Sequence, residues 1–150
     1  MDAEMIENIR SNVKYYRIVK GISGRQLSTA IGLSPTWIHC FETRIIREST
    51  PENLQLLAKA LGKKLSDLIK PPKAVIQKLS PEEAERGLQN LEWIRKRKGL
   101  SVRQFEQNLG LCEGHLYKAL EGRRKFTIET WWKIAEALDM DLKTLIGRKA

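Results

Sequence analysis

The sequence predicts an all-α protein made of two tandem five-helix domains joined by a short proline-containing linker. Three observations predict it. The segment KGISGRQLSTAIGL (Lys20–Leu33) returns 78 residues later as KGLSVRQFEQNLGL (Lys98–Leu111), with seven of the fourteen positions identical. The match spreads outward: NVKYYRIVKG answers NLEWIRKRKG, and TPENLQLLAKALG answers FTIETWWKIAEALD. A repeat this long is one folded unit used twice. Apolar residues recur at helical spacing in both copies, with no strand signal of any weight. The boundaries are read as 1–70 for the first domain, 71–80 for the linker and 81–150 for the second domain.

In the first copy Ile6, Ile9, Val13 and Tyr16 define an opening helix that Gly21 ends. Ser23 begins S-x-x-Q with Gln26, a capping box in which each side chain satisfies the other residue's backbone N–H. The short second helix it opens stops at Gly32. Ser34 is expected to be the next N-cap, with Pro35 at the first helical position, where a missing N–H costs nothing. The third helix is therefore expected over Pro35–Thr43. Thr50 and Pro51 repeat that logic for a fourth helix, Pro51–Leu61, with Leu54, Leu57, Ala58 and Leu61 on one face. Gly62 ends it, and Leu65, Leu68 and Ile69 predict a short fifth.

The second copy follows the same plan. Ser80-Pro81-Glu82-Glu83 supplies a cap, an N1 proline and acids at the positive end of the helix dipole. Ala84, Leu88, Leu91 and Ile94 are the expected buried stripe. Ser101 and Gln104 repeat the capping box, and Gly110 breaks the next helix. Cys112–Glu121 is the expected third helix, Thr127 the cap of the fourth and Asp141 the cap of the fifth. Between the copies lies PPKAVIQKLS (Pro71–Ser80), whose Pro-Pro start is stiff, extended and unable to continue a helix. It reads as an ordered linker.

Composition narrows the function. At 150 residues, two domains of about 70 residues each bury a core only marginally. The net charge of +9 and the pI near 9.7 point to an anionic partner, nucleic acid ahead of a membrane surface. Residues 1–70 hold 11 basic and 7 acidic side chains and residues 71–150 hold 16 and 11, so no single basic tail carries the excess. No apolar run approaches a membrane span, and the acidic start MDAEMIENIR lacks the pattern of a signal peptide. Cys40 and Cys112 fall in different domains, so no structural disulfide is expected, and a reducing cytoplasm fits. His39-Cys40 and Cys112-x-x-His115 lack the spacing of a zinc finger and are likewise split between domains. Cys112, at an expected helix start, reads as a small N-cap substitute rather than a redox switch. No Ser/His/Asp set, carboxylate pair or phosphate-binding glycine loop stands out, so neither an enzyme, a cofactor nor a small-molecule ligand is expected.

Each copy contains helix, glycine-containing turn, helix, with apolar residues to lock the pair together. These are Leu27, Ala30, Ile31, Leu33, Ile38 and Phe41 in the first copy, and Phe105, Leu109, Leu111, Leu116 and Ala119 in the second. Two short helices held at a steep angle leave the outer face of the second free to enter a major groove. With the marks K-G-[IL]-S, the run to G-L, the third-helix pattern Leu33–Glu42 and the closing [LI]-A-[KE]-A-L, both copies resemble the lambda-repressor/Cro (Xre-type) family of DNA-binding domains. The resemblance covers Ile9–Ile69 and Leu88–Ile146. Leu111–Lys125 fits the frame without a gap, and the first copy has one extra residue in the loop after its third helix.

The resemblance implies roles for particular residues. Base edges fall to Ser34, Pro35, Thr36 and Cys40 in the first copy, and to Cys112, Glu113, Gly114 and Lys118 in the second. Lys118 can bond guanine, Glu113 can accept from a cytosine amino group, and Thr36 can meet a thymine methyl. Trp37 and His115, at matching positions, suit sugar–phosphate packing. Gln26 and Gln104, beside Arg25 and Arg103, lie where a helix start can hold a phosphate. Arg44 and Arg47, and Arg123, Arg124 and Lys125, fall in the loop after the third helix, a usual place for phosphate contacts.

Two departures from the family pattern matter. Gly24 and Val102 stand where the family commonly has Gln, and Pro35 and Cys40 make no bidentate base contact. The first departure touches one phosphate contact in both copies; by the second, the first copy is read as positioning the protein or binding a partner, and the second copy as reading more sequence. Trp131 and Trp132 are adjacent on the fourth helix. Trp131 matches core Leu54, so Trp132 is expected half-buried, or as a contact point for the other copy or a partner.

The function implied is sequence-specific binding of double-stranded DNA by a cytoplasmic, bacterial or phage-type transcriptional regulator. Its two domains would act as an intramolecular pseudo-dimer on two unlike half-sites. An accessory protein at the transfer origin of a mobile genetic element and an antitoxin-like autoregulator are the alternatives that also bind DNA. A protein-interaction module that keeps the fold is the alternative of another class, with Trp132 or the fifth helix against a homo-oligomeric or other protein partner.

Overall fold

Asp2 opens the first helix by accepting the Met5 backbone N–H at 2.8 Å, and the helix then runs unbroken as α1 (Ala3–Val19). The computed structural model describes residues 2–147. They form ten helices and no strand, and the chain divides into two compact units, Met1–Val75 and Ile76–Ala150. None of the described helices is long and apolar enough to cross a membrane.

In unit one, α1 is followed by α2 (Gly24–Ala30), α3 (Trp37–Glu42), α4 (Pro51–Ala60) and α5 (Leu65–Ile69). The local chemistry is the one written in the sequence. Ser23 Oγ accepts the Gln26 N–H and Gln26 Oε1 accepts the Ser23 N–H, closing the capping box of α2. Thr50 Oγ1 accepts the Asn53 N–H at the start of α4, behind Pro51. Ile9, Val13, Leu27, Ile38, Phe41, Leu54, Leu57, Leu61 and Leu68 are buried around one core. Each such side chain stabilises the fold by about 1.5–3 kcal/mol relative to exposure. Ala30, expected among the locking residues, is exposed instead. It sits one residue short of Ile31, which takes the buried position at the end of α2.

Unit two repeats the order with α6 (Pro81–Lys98), α7 (Val102–Asn108), α8 (His115–Leu120), α9 (Ile128–Ala137) and α10 (Leu142–Leu145). Capping boxes at Ser80/Glu83 and Ser101/Gln104 are both closed. Leu91 is the fully buried centre of the α6 stripe, and Ala84, Leu88 and Ile94 are partly buried beside it. Gly87, absent from the expected stripe, is buried too. A Cβ there would stand 2.7 Å from Trp131 Cη2, so the indole occupies the volume that a side chain would need.

Four expectations need correction. The third helices start later than the sequence implies: α3 begins at Trp37 rather than Pro35, and α8 at His115 rather than Cys112. Ser34 is not an N-cap, and Cys112 does not sit at a helix start; each lies in the turn ahead, where its carbonyl accepts the N–H three residues on. In unit two the reason is Gly114, whose φ of +79° turns the backbone left-handed and closes off any earlier helical residue. Asp141 stands at the N-cap position of α10, but its side chain accepts no capping bond. Trp132 is buried, not half-exposed, and its indole N–H donates to the Ile76 carbonyl at 3.1 Å.

The segment between the copies is anchored rather than loose. Lys73 N–H donates to Asn12 Oδ1 at 2.9 Å and Ala74 is buried in unit one, while Ile76 holds Trp132 in unit two. Asn12 Nδ2 also donates to the carbonyls of Leu68 and Lys70, and Asn90 does the same to Leu145 and Gly147. One asparagine in each unit thus clasps its first helix to the end of its last.

Candidate nucleic-acid interface

The third helix of each unit is set by a side chain of the second. In unit one Ser28, fully buried on α2, donates from Oγ to the Gly24 carbonyl and accepts the Ile38 N–H at 3.0 Å. In unit two the same register holds Glu106, 2% exposed. Its Oε1 accepts the Gly114 N–H at 3.2 Å, and its Oε2 accepts those of Leu116 at 2.8 Å and Tyr117 at 3.2 Å. Three of the N–H groups around the start of α8 are satisfied by one carboxylate, whose charge also complements the positive end of the helix. Arg103 Nη1 lies 3.9 Å from the same carboxylate. Neither Ser28 nor Glu106 was among the residues singled out from the sequence. The available signal was a polar residue in both copies directly after a buried one, Leu27 and Phe105.

With the inner face locked, the outer face is defined. Ser34, Pro35 and Thr36 are exposed in the turn leading to α3, and Cys40 is half-buried on the helix. Cys112 and Glu113 are exposed ahead of α8, Gly114 is half-buried and Lys118 is exposed one turn further. Tyr117, missed in the sequence, is 51% exposed beside Lys118. Trp37 and His115 occupy matching positions but different surroundings. Trp37 stacks on Phe41 with ring centroids 5.2 Å apart, whereas His115 meets Phe126 edge-on at 4.9 Å. Burial holds the His115 imidazole below its ordinary pKa, and the nearby Arg124 lowers it further. Gln26 and Gln104 each give their carbonyl oxygen to the capping box, which leaves the amide NH2 group to donate outward beside exposed Arg25 and Arg103.

The loops after the third helices differ most. In unit one, Arg44 (φ +67°) closes on Glu7 through three contacts, Nε to Oε1 at 3.0 Å and to Oε2 at 3.2 Å, and Nη2 to Oε2 at 2.7 Å. That pairing, together with Arg10, holds the Glu7 carboxyl below its ordinary range. Arg10 is buried over the Phe41 ring and donates to the carbonyls of Phe41, Ile46 and Arg47. The Arg47 side chain stays exposed. In unit two, Arg123 pairs with Glu121 at 2.9 Å and leans over Tyr117, while Arg124 and Lys125 are exposed with no ion pair among the described residues. Unit one thus ties its loop arginine to α1 in an exposed ion pair, and unit two leaves two exposed loop cations without one among the described residues. Among the described residues no cluster of three or more His, Cys, Asp or Glu side chains could hold a metal ion.

A family model described as helix-turn-helix matches the chain twice, over residues 13–68 and 91–145. Each match begins within the first helix of a unit and runs through the second, third and fourth helices and most or all of the fifth. No curated protein and no solved structure matches the chain.

Proposed function

The chain belongs to the lambda-repressor-like helix-turn-helix family in both of its units, and from that premise we propose that it is a sequence-specific double-stranded-DNA-binding regulator of transcription, with unit two as the main reader. Members of the family are DNA-binding proteins, and DNA binding is the coarse function that the match carries. The finer reading rests on one observation: α8 holds Tyr117 and Lys118 outward, with unpaired Arg124 and Lys125 in the loop beside it. Lys118 reads a base edge, and the loop cations meet phosphates. Unit one, with Arg44 tied to Glu7 and a Ser-Pro-Thr turn ahead of α3, positions the chain on an adjoining, unlike half-site. Two linked modules then gain affinity through effective concentration.

Genome-wide footprinting followed by gel shifts on the recovered site tests this. Lys118→Ala is expected to cost about 1–3 kcal/mol on the specific site and to relax its sequence. Arg124→Ala weakens all sequences alike and lowers the salt slope by about one. Arg44→Ala leaves that slope unchanged. A perfect palindrome in the footprint sinks the asymmetric reading. Salt-independent binding, or none, sinks the DNA reading of both units.

A further inference from the structure

One location is narrow in unit one and wide in unit two. In unit one the space between the start of α1 and the loop after α3 is taken up by Phe41 and Arg10 and bordered by the Arg44–Glu7 ion pair, and a cleft of about 410 Å³ remains. The repeat register puts Ala119 at the position of Phe41, Leu88 at that of Arg10 and Gly122 at that of Arg44. All three replacements are smaller, and the paired charges go with them. Phe126 and Trp131, edge-on at 5.2 Å, recover part of the volume. What remains is a groove of about 710 Å³ between α6, the segment before it and the loop after α8. That is the size of a small-molecule site.

The lining states what such a molecule must be. Phe126, Ile128 and Trp131 join Leu88 and Ala119 in an apolar wall. Three exposed cations, Lys78, Arg124 and Lys125, line the groove with one acid, Glu85. Glu85 is the counterpart of Glu7, but its register lacks both arginines that hold Glu7. An apolar wall under an excess of positive charge complements an amphiphilic anion.

We propose that this groove of unit two binds a small carboxylate with an apolar body, its chain or ring against Phe126 and Trp131 and its carboxylate at Arg124 and Lys125. The bound anion occupies the two loop cations assigned above to phosphates, so it weakens DNA binding; this last step rests on the DNA-binding reading.

Calorimetric titration of the full chain with sodium decanoate, without DNA, tests the site. Saturable binding is expected, with the uncharged decanol at least about tenfold weaker. Ala119→Phe, which restores the residue of unit one, is expected to abolish binding while the circular dichroism stays that of the wild type. Should that variant lose its helical signal, the surface double variant Arg124→Gln/Lys125→Gln decides, with an expected loss of about tenfold. Absence of saturation, equal binding by a folded Ala119→Phe chain, or decanol as tight as decanoate overturns the site. In gel shifts, decanoate should weaken the wild type and spare Ala119→Phe; equal affinity with and without it overturns the coupling. A chain that binds decanoate but not DNA leaves the groove standing and removes the DNA reading.

Discussion

Ser28 and Glu106 occupy the same register of the repeat, yet the hydroxyl holds one N–H of the following helix and the carboxylate holds three. The contrast extends through both units. Arg17 reaches from α1 to Glu42 on α3 through a paired contact at 2.8 Å; in unit two the matching residue is Leu120, and Arg95 pairs with Glu92 on its own helix. Ile9 and Leu54, both buried in one core, become Gly87 and Trp131 in the other, where the indole packs over the glycine. The Asn clasp and the capping box of the second helix recur unchanged. What the two units share is the means of fixing backbone; what they vary is volume and charge near the third helix. A fold set by backbone satisfaction tolerates such exchange as long as total core volume is kept.

The sharpest way to break this comparison is at Arg10. Arg10→Met removes a buried guanidinium that serves three carbonyls, and should destabilise unit one by roughly 3–5 kcal/mol. Leu88→Met at the matching place in unit two conserves volume and should cost less than about 1.5 kcal/mol. Site-resolved hydrogen exchange reads the two units separately; equal protection losses would show that the inward arginine does not hold the unit-one loop. Next in size, Glu106→Ala strands three N–H groups and should cost about 2–3 kcal/mol in the exchange of α8, against about 1 kcal/mol for Ser28→Ala in α3. A reversed order would mean that the carboxylate's own burial outweighs what it caps.

The smallest effect concerns pH. His115 has its folded-state pKa depressed, so the unfolded chain takes up the proton first as pH falls. Unit two should therefore lose stability as pH drops below the ordinary value of 6.5 towards the lowered folded pKa, and keep full stability above it. Unit one carries Trp37 at that position. Urea unfolding at about pH 7.5 and about pH 5.5 should show the loss in the wild type and a smaller one in His115→Phe. No change on substitution would place the sensitivity elsewhere.

The helices, their order and most of their caps were legible because they depend on neighbours within four residues: Ser23 with Gln26, Thr50 with Pro51, Ser101 with Gln104. The repeat supplied the long-range half of the fold by showing one solution twice. The starts of α3 and α8 were not legible, because their N–H groups are satisfied ten residues upstream by Ser28 and Glu106 rather than by a local cap. The full burial of Trp132 was not legible for the same reason: the carbonyl its indole N–H reaches, that of Ile76, lies 56 residues earlier. The candidate site was legible as positions, since exposed Lys118, Arg124 and Lys125 follow from helical register. That Arg44 is tied to Glu7, 37 residues away, was not.

The asparagine clasp has an evolutionary consequence. Asn12 and Asn90 fasten the end of each unit back onto the middle of its own first helix, so each unit closes on itself. A module closed in this way can be copied head to tail in a gene without rebuilding its interior. The short stretch around Val75 and Ile76 is all that such a copying event had to supply. Once copied, each module was free to diverge at its outer end while the clasp kept both foldable.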